Sequence, residues 1–76
     1  MFTICVIDER TGRPASGRKV SVEIKESVFD FGFLPNQYTD SRGEAHFSHE
    51  NARGVVYVDG RTVHEGYLSG RMMVYV

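Results

Sequence analysis

The sequence predicts an all-β protein, a small antiparallel β-sandwich of about seven strands, and three observations carry that expectation. No window of eleven or more residues keeps apolar side chains at the i, i+3, i+4, i+7 spacing of an amphipathic helix. Two-residue alternation recurs instead, most clearly in "KVSVEIK", where Val20, Val22 and Ile24 share one face against Ser21, Glu23 and Lys25. Turn signals, among them several of the eight glycines, separate the alternating runs at intervals of roughly 8–12 residues, the spacing of sandwich strands.

Taken in order, "FTICVID" is β-branched and apolar on both faces, as expected of a strand covered on two sides. "ERTGRPASG" follows as a loop, with Gly12 and Gly17 able to supply positive φ and Pro14 presetting a turn position. The half-buried strand "KVSVEIK" comes next. Further on, "TDSRGEAHF" reads as a tight turn, with Asp40 bonding the backbone ahead of it, Gly43 left-handed and "EAHF" leaving as a strand. In "VVYVDGRTVH", Asp59-Gly60 between alternating apolar residues is the strongest short-range hairpin signal in the chain. "RMMVYV" is expected as a last strand.

The stretch "SVFDFGFLPNQY" places Phe29, Phe31 and Phe33 at strict two-residue spacing. Inward parity is even at Val20, Val22 and Ile24 and odd at the three rings, so an uninterrupted strand cannot bury both sets. A bulge or turn near Lys25–Ser27 would bring all three rings into the core, with Asp30 and Gly32 on a solvent face; without it they form an outer platform. Core burial is the expectation, because a chain this short has few large apolar side chains to spare.

With 41% hydrophobic and 25% charged residues in 76, the composition is that of one folded domain. Nine Lys and Arg against ten Asp and Glu leave a net charge of −1, which argues against nucleic acid or an anionic membrane as partner. The single cysteine, Cys5, excludes an internal disulfide and any multi-cysteine zinc site. The run "FTICVI" is too short for a signal-peptide core or a membrane span. A cytoplasmic protein is expected, or a secreted one if the sequence is a piece cut from a longer chain.

The stretches "ICVIDERTGRPASGRKVSVEI", "YTDSRGEAHF" and "RGVVYVDGRTVHEGYLSG" resemble, in order and spacing, the carboxypeptidase regulatory-like domain of the transthyretin-like (prealbumin-like) group. The resemblance spans nearly the whole chain and implies a Greek-key, transthyretin-like sandwich. Its motifs are turn glycines and alternating apolar residues, which speak to fold rather than chemistry. "CVIDERTGRPASG" also looks like the start of hydroxyisourate hydrolase, but Cys5 stands where that family has its catalytic His, and the closing Tyr-Arg-Gly-Ser of that family is replaced by "MMVYV". A collagen-adhesin B-type pilin domain would pair an early Lys with a late Asn; Lys19 and Lys25 are present, the Asn is not. The resemblance therefore implies no catalytic residue and no isopeptide bond.

Four constellations carry residue types that could do chemistry. His46, His49, Glu50 and His64 hold metal-ligand chemistry, but their spacing matches no zinc pattern and they are expected to be solvated. Cys5, with no His on its strand, is expected to be a small packing residue. Asp40 and Glu44 belong to a turn, lacking the twelve-residue run of a calcium loop. Arg10, Arg13, Arg18 and Lys19 are offset by Asp8 and Glu9 and read as a solvated loop. These readings leave no catalytic residue, no cofactor and no metal. The expected function is a non-catalytic binding or assembly module, with a protein partner or further copies of itself; a small hydrolase-like enzyme and a carbohydrate-binding module are the alternatives. The expected interface is the last strand, Met73, Val74, Tyr75 and Val76, apolar on both faces and carrying no edge-blunting residue after Arg71.

Overall fold

A computed structural model describes all residues, 1–76, and contains no helix. Strands β1 (Phe2–Asp8), β2 (Arg13–Pro14), β3 (Lys19–Ser27), β4 (Asp30–Phe33), β5 (Gln37–Tyr38), β6 (Glu44–Phe47), β7 (Ala52–Val58), β8 (Arg61–Leu68) and β9 (Gly70–Tyr75) follow one another. Seven stand where the sequence pattern places strands; β2 and β5 are two-residue pieces inside segments that carry turn residues.

The strands form two mostly antiparallel sheets. In one, β1 pairs antiparallel with β6 and β2 along one side and parallel with β9 along the other. In the other, β3 pairs with β4 and β5 on one side and β7 on the other, and β7 pairs with β8. Thus β9 and β8 are edge strands, and the chain passes from one sheet to the other between them, at Ser69.

One core lies between the sheets. Phe2, Ile4 and Val6 of β1, Ala45 and Phe47 of β6 and Val74 of β9 meet Val20, Val22 and Ile24 of β3, Ala52, Val56 and Val58 of β7 and Leu68 of β8. The even-numbered residues of β3 point in, as their alternation requires. Phe2 and Phe47 stack at 5.5 Å inside this core.

The connections are built as their residues dictate. Asp59 (φ 50°) and Gly60 (φ 85°) form a two-residue turn with positive φ at both positions, and Val58 pairs with Arg61 across it. The Asp40 carboxylate accepts the backbone N–H of Arg42 at 2.8 Å and of Glu44 at 3.0 Å. Gly43 has φ 74°, and a Cβ there would lie 2.7 Å from the Val6 carbonyl oxygen and 2.9 Å from Pro14. The first loop is tied down by Thr39, whose hydroxyl donates to the Ala15 carbonyl (2.7 Å) and accepts from the Arg18 N–H (2.9 Å).

The β3–β4 hairpin overruns its neighbours. β7 pairs with β3 only as far as Ile24, whereas β4 follows β3 to Ser27, and the molecule measures 39 × 19 × 18 Å. The overrun carries Val28 and Phe29 at its tip, both in solvent.

Candidate functional site

The expected burial of the ring ladder is overturned. Phe29, Phe31 and Phe33 are 95%, 72% and 64% exposed. A register irregularity does occur between Lys25 and Ser27, but it lies in a hairpin whose chain reverses at Val28–Phe29. Lys25 faces Phe31 and Glu23 faces Phe33, so odd residues of β4 share a face with odd residues of β3. That face is the outer one, and Gly32, opposite Ile24, is on the core side.

The same register assembles an aromatic outer face on the five-stranded sheet. Phe33 lies opposite Glu23, Glu23 opposite Val55 and Val55 opposite Glu65. On either side of this row stand Phe31 with Lys25, Arg53 with Tyr67, and Tyr57. The ring of Phe33 is tilted by 31° against that of Tyr57. The Tyr57 hydroxyl donates to Glu23 Oε1 at 2.8 Å, and this bond to a carboxylate, with desolvation and the charges of Glu23 and Glu65, pushes the phenol above its ordinary pKa. Val55 is only 4% exposed although it points away from the core. A small apolar patch therefore exists on the outside of this sheet.

The expected interface strand β9 is an edge strand with the expected parity, in part. Met73 and Tyr75 face outward and are exposed, but Val74 is 3% exposed and belongs to the core, and Val76 is half-buried against it. Val76 bonds to β1 through both its N–H (to Ile7) and its carbonyl (from Glu9). The alternation of a parallel pair then turns the main-chain groups of Met73 and Tyr75 to the free edge.

Cys5 sits on the outer face of the other sheet, opposite Glu44 and Met73, and is 4% exposed. Burial pushes its thiol up; the nearby Arg71 guanidinium opposes this, and Glu44 and Asp40 add to it. Arg71 Nη1 is paired with Glu44 Oε2 across β1, directly over this face. No imidazole bonds to Cys5.

The three histidines do not converge. His46 lies on the outer face of β6, where Thr3 Oγ1 meets its Nδ1 at 2.8 Å. His49 approaches Asp30 at 3.3 Å through Nε2. His64 points inward opposite Val56, and its Nε2 is buried without a hydrogen-bond partner. The grouping that does form is Asp40, Glu44 and His46, with ligand atoms within 4.8 Å of one another, a set the sequence spacing did not single out. Its carboxylates are already engaged, Asp40 by two backbone N–H groups and Glu44 by Arg71. It is accounted for as a turn and ion-pair network.

Two residues of the basic stretch are paired: Arg18 meets Asp59 at 2.6 Å and Arg10 lies 3.9 Å from Asp8. A cleft of about 400 Å³ beside Arg18 is lined by both signs of charge, Glu9 and Asp59 against Arg18 and Arg61. No helix is long and apolar enough to cross a membrane. No protein-family model matches this chain, and neither does any curated protein.

Proposed function

We propose that this chain is a non-catalytic binding or assembly module on a Greek-key, transthyretin-like β-sandwich. Its contact surface is the outer face of the five-stranded sheet. The observation that carries the reading is the exposure of Phe29, Phe31 and Phe33 along the β3–β4 hairpin, with Phe33 against Tyr57, in a chain that has only nine aromatic residues. Large rings left in water forgo stabilisation that a 76-residue core needs, and an apolar exposed patch marks an interaction site. The sandwich assignment draws on the two sheets around one core and on the turns at Asp40–Gly43 and Asp59–Gly60. Against the small-enzyme alternative stand the burial of Cys5 and the raised pKa of its thiol.

A carbohydrate ligand is the second reading, favoured by rings fringed with hydrogen-bonding groups: Glu23, Lys25, Arg53, Glu65 and the Tyr57 hydroxyl. Both readings place the contact on one face, and a two-armed nuclear magnetic resonance experiment tests it. Amide shifts are followed through a dilution series and through titration with β-linked oligosaccharides. In at least one arm the shifts should cluster at Phe31, Phe33, Val55, Tyr57 and Tyr67, and should vanish in a Phe31→Ser, Phe33→Ser double variant. Shifts centred elsewhere, or none in either arm, would overturn the proposal.

A further inference from the structure

The outer-face Cys5 is accounted for by packing and the Asp40–Glu44–His46 grouping by pairing, whereas the free edge of strand β4 is accounted for by neither. We infer that the partner at the aromatic face is a second copy of this chain, joined edge to edge through β4 about a two-fold axis at Gly32. This rests on the reading of that face as the contact surface.

The first support is the free edge. β4 pairs only with β3, so one of its sides has no neighbour. Leu34 N–H donates to the Val22 carbonyl. Antiparallel bonding alternates along a strand, so Gly32 also turns its main chain toward β3, and Phe31 and Phe33 turn theirs to the open side. Those are the groups a neighbouring strand would need. Pro35, which has no N–H to offer, ends the available edge just beyond.

The second support is self-complementarity. Antiparallel pairing centred on Gly32 sets Phe31 of one copy against Phe33 of the other, and the reverse, on the same outer face. Each pairing is closed by two main-chain hydrogen bonds, four in all. The four rings become cross-strand neighbours, and the two glycines let the backbones meet with no side chain on the core side. Lys25 flanks Phe31 and Glu23 flanks Phe33, so each row across the seam reads Lys25, Phe31, then Phe33 and Glu23 of the second copy. No like charges are opposed across it.

The third support is area. At their exposures Phe29, Phe31 and Phe33 leave roughly 350–600 Å² of ring in water, taking about 150–250 Å² for each side chain. Val28 and Tyr38, exposed on the same hairpin edge and its continuation, add to it. That matches or exceeds the largest apolar patch usual on a monomer and approaches the roughly 800 Å² that each partner gives to a standard interface. Of the edges named above, β9 offers only Met73 and Tyr75 and β8 only Tyr67. Their apolar load is smaller.

Sedimentation velocity across the micromolar range tests the inference, with circular dichroism confirming that each variant is folded. The wild type should sediment as a dimer. Phe31→Pro removes an N–H that faces the open edge, a change an edge strand tolerates. It should raise the dimer dissociation constant by roughly tenfold to a hundredfold, as should the Phe31→Ser, Phe33→Ser double variant, while Tyr75→Lys should not alter it. A wild-type monomer at every concentration, or a dimer dissociated by Tyr75→Lys and unmoved by Phe31→Pro, would overturn the inference. A monomer whose ring-face amides still respond to oligosaccharide would overturn it too, while leaving that face as the recognition surface.

Discussion

The ring of Phe33 stands 5.9 Å from the ring of Tyr57, two strands away on the outside of the sheet. Glu23, on the strand between them, accepts the Tyr57 hydroxyl, so the aromatic pair is anchored to the sheet by a charge-assisted bond. The phenol is thereby harder to ionise. A tyrosine held above its ordinary value favours the folded state until the pH rises through that raised value. Glu23→Gln removes the charge, and the titration midpoint of Tyr57, followed by its ring resonances, should fall toward 10.0. An unchanged midpoint would mean that the bond does not persist in solution.

Exposure and burial should separate the phenylalanines by stability. Phe47→Ala empties part of the core and should cost about 3–5 kcal/mol. Phe31→Ala removes a ring that is mostly in water and should cost the monomer less than about 1 kcal/mol. Urea denaturation, done with the chain dilute enough to be monomeric, compares them. Equal costs would return the ladder to the core.

Thr39 carries a larger burden than its size implies. Replacing its hydroxyl by a methyl in Thr39→Val strands the Ala15 carbonyl and the Arg18 N–H together, and should cost about 1–3 kcal/mol. Thr39→Ser, which keeps the oxygen, should restore most of it. If the serine variant is no better than the valine one, the hydroxyl's two bonds are not the source.

The Asp40 carboxyl is held below its ordinary 3.8, first by the Glu44 N–H and then by the Arg42 N–H, with help from His46 and Arg42 charge. A depressed carboxylate stabilises the fold fully above its unfolded value, and that contribution is lost as pH falls through the folded value. Asp40→Asn should therefore lower the thermal midpoint at neutral pH, with the gap to wild type closing below about pH 4. A gap independent of pH would mean that turn geometry, rather than charge, is at work.

His64 is the one side chain whose buried nitrogen lacks a hydrogen-bond partner. His64→Leu keeps the volume approximately and removes the unmet polar group, so it should raise stability by about 1 kcal/mol. Destabilisation in chemical denaturation would point to a hydrogen-bond partner supplied from solvent.

Much of this architecture is legible in the residues, for local reasons. Asp59-Gly60 announces its turn because few residues accept positive φ twice in succession, and Val20, Val22 and Ile24 announce an inward face because strand parity is strict. The face of the ring ladder is not legible in this way, because it depends on how many residues the preceding turn consumes. Lys25 opposite Phe31 gives one answer, and a slip of one residue would give the other. The parallel β1–β9 pair joins the two ends of the chain and leaves no local trace. β2 and β5 owe their pairing to the strands beside them. For the candidate interface, alternation correctly turned Met73 and Tyr75 outward, but Val74 is held in by the core that β9 closes. The grouping of Asp40, Glu44 and His46 needed the β6 register to become visible.

The position of Cys5 makes the chain its own stopwatch. The thiol lies under a lid made by an edge strand: Met73 is opposite it in β9, and Arg71 of the same strand reaches over to Glu44. A reagent can reach the sulfur when the Met73 and Arg71 side chains swing aside or when β9 itself peels from β1, in both cases without the second sheet coming apart. The alkylation rate therefore counts local openings along this edge. Compared with the rate of global unfolding, it reports whether this sheet breathes as a unit or frays first at its parallel edge.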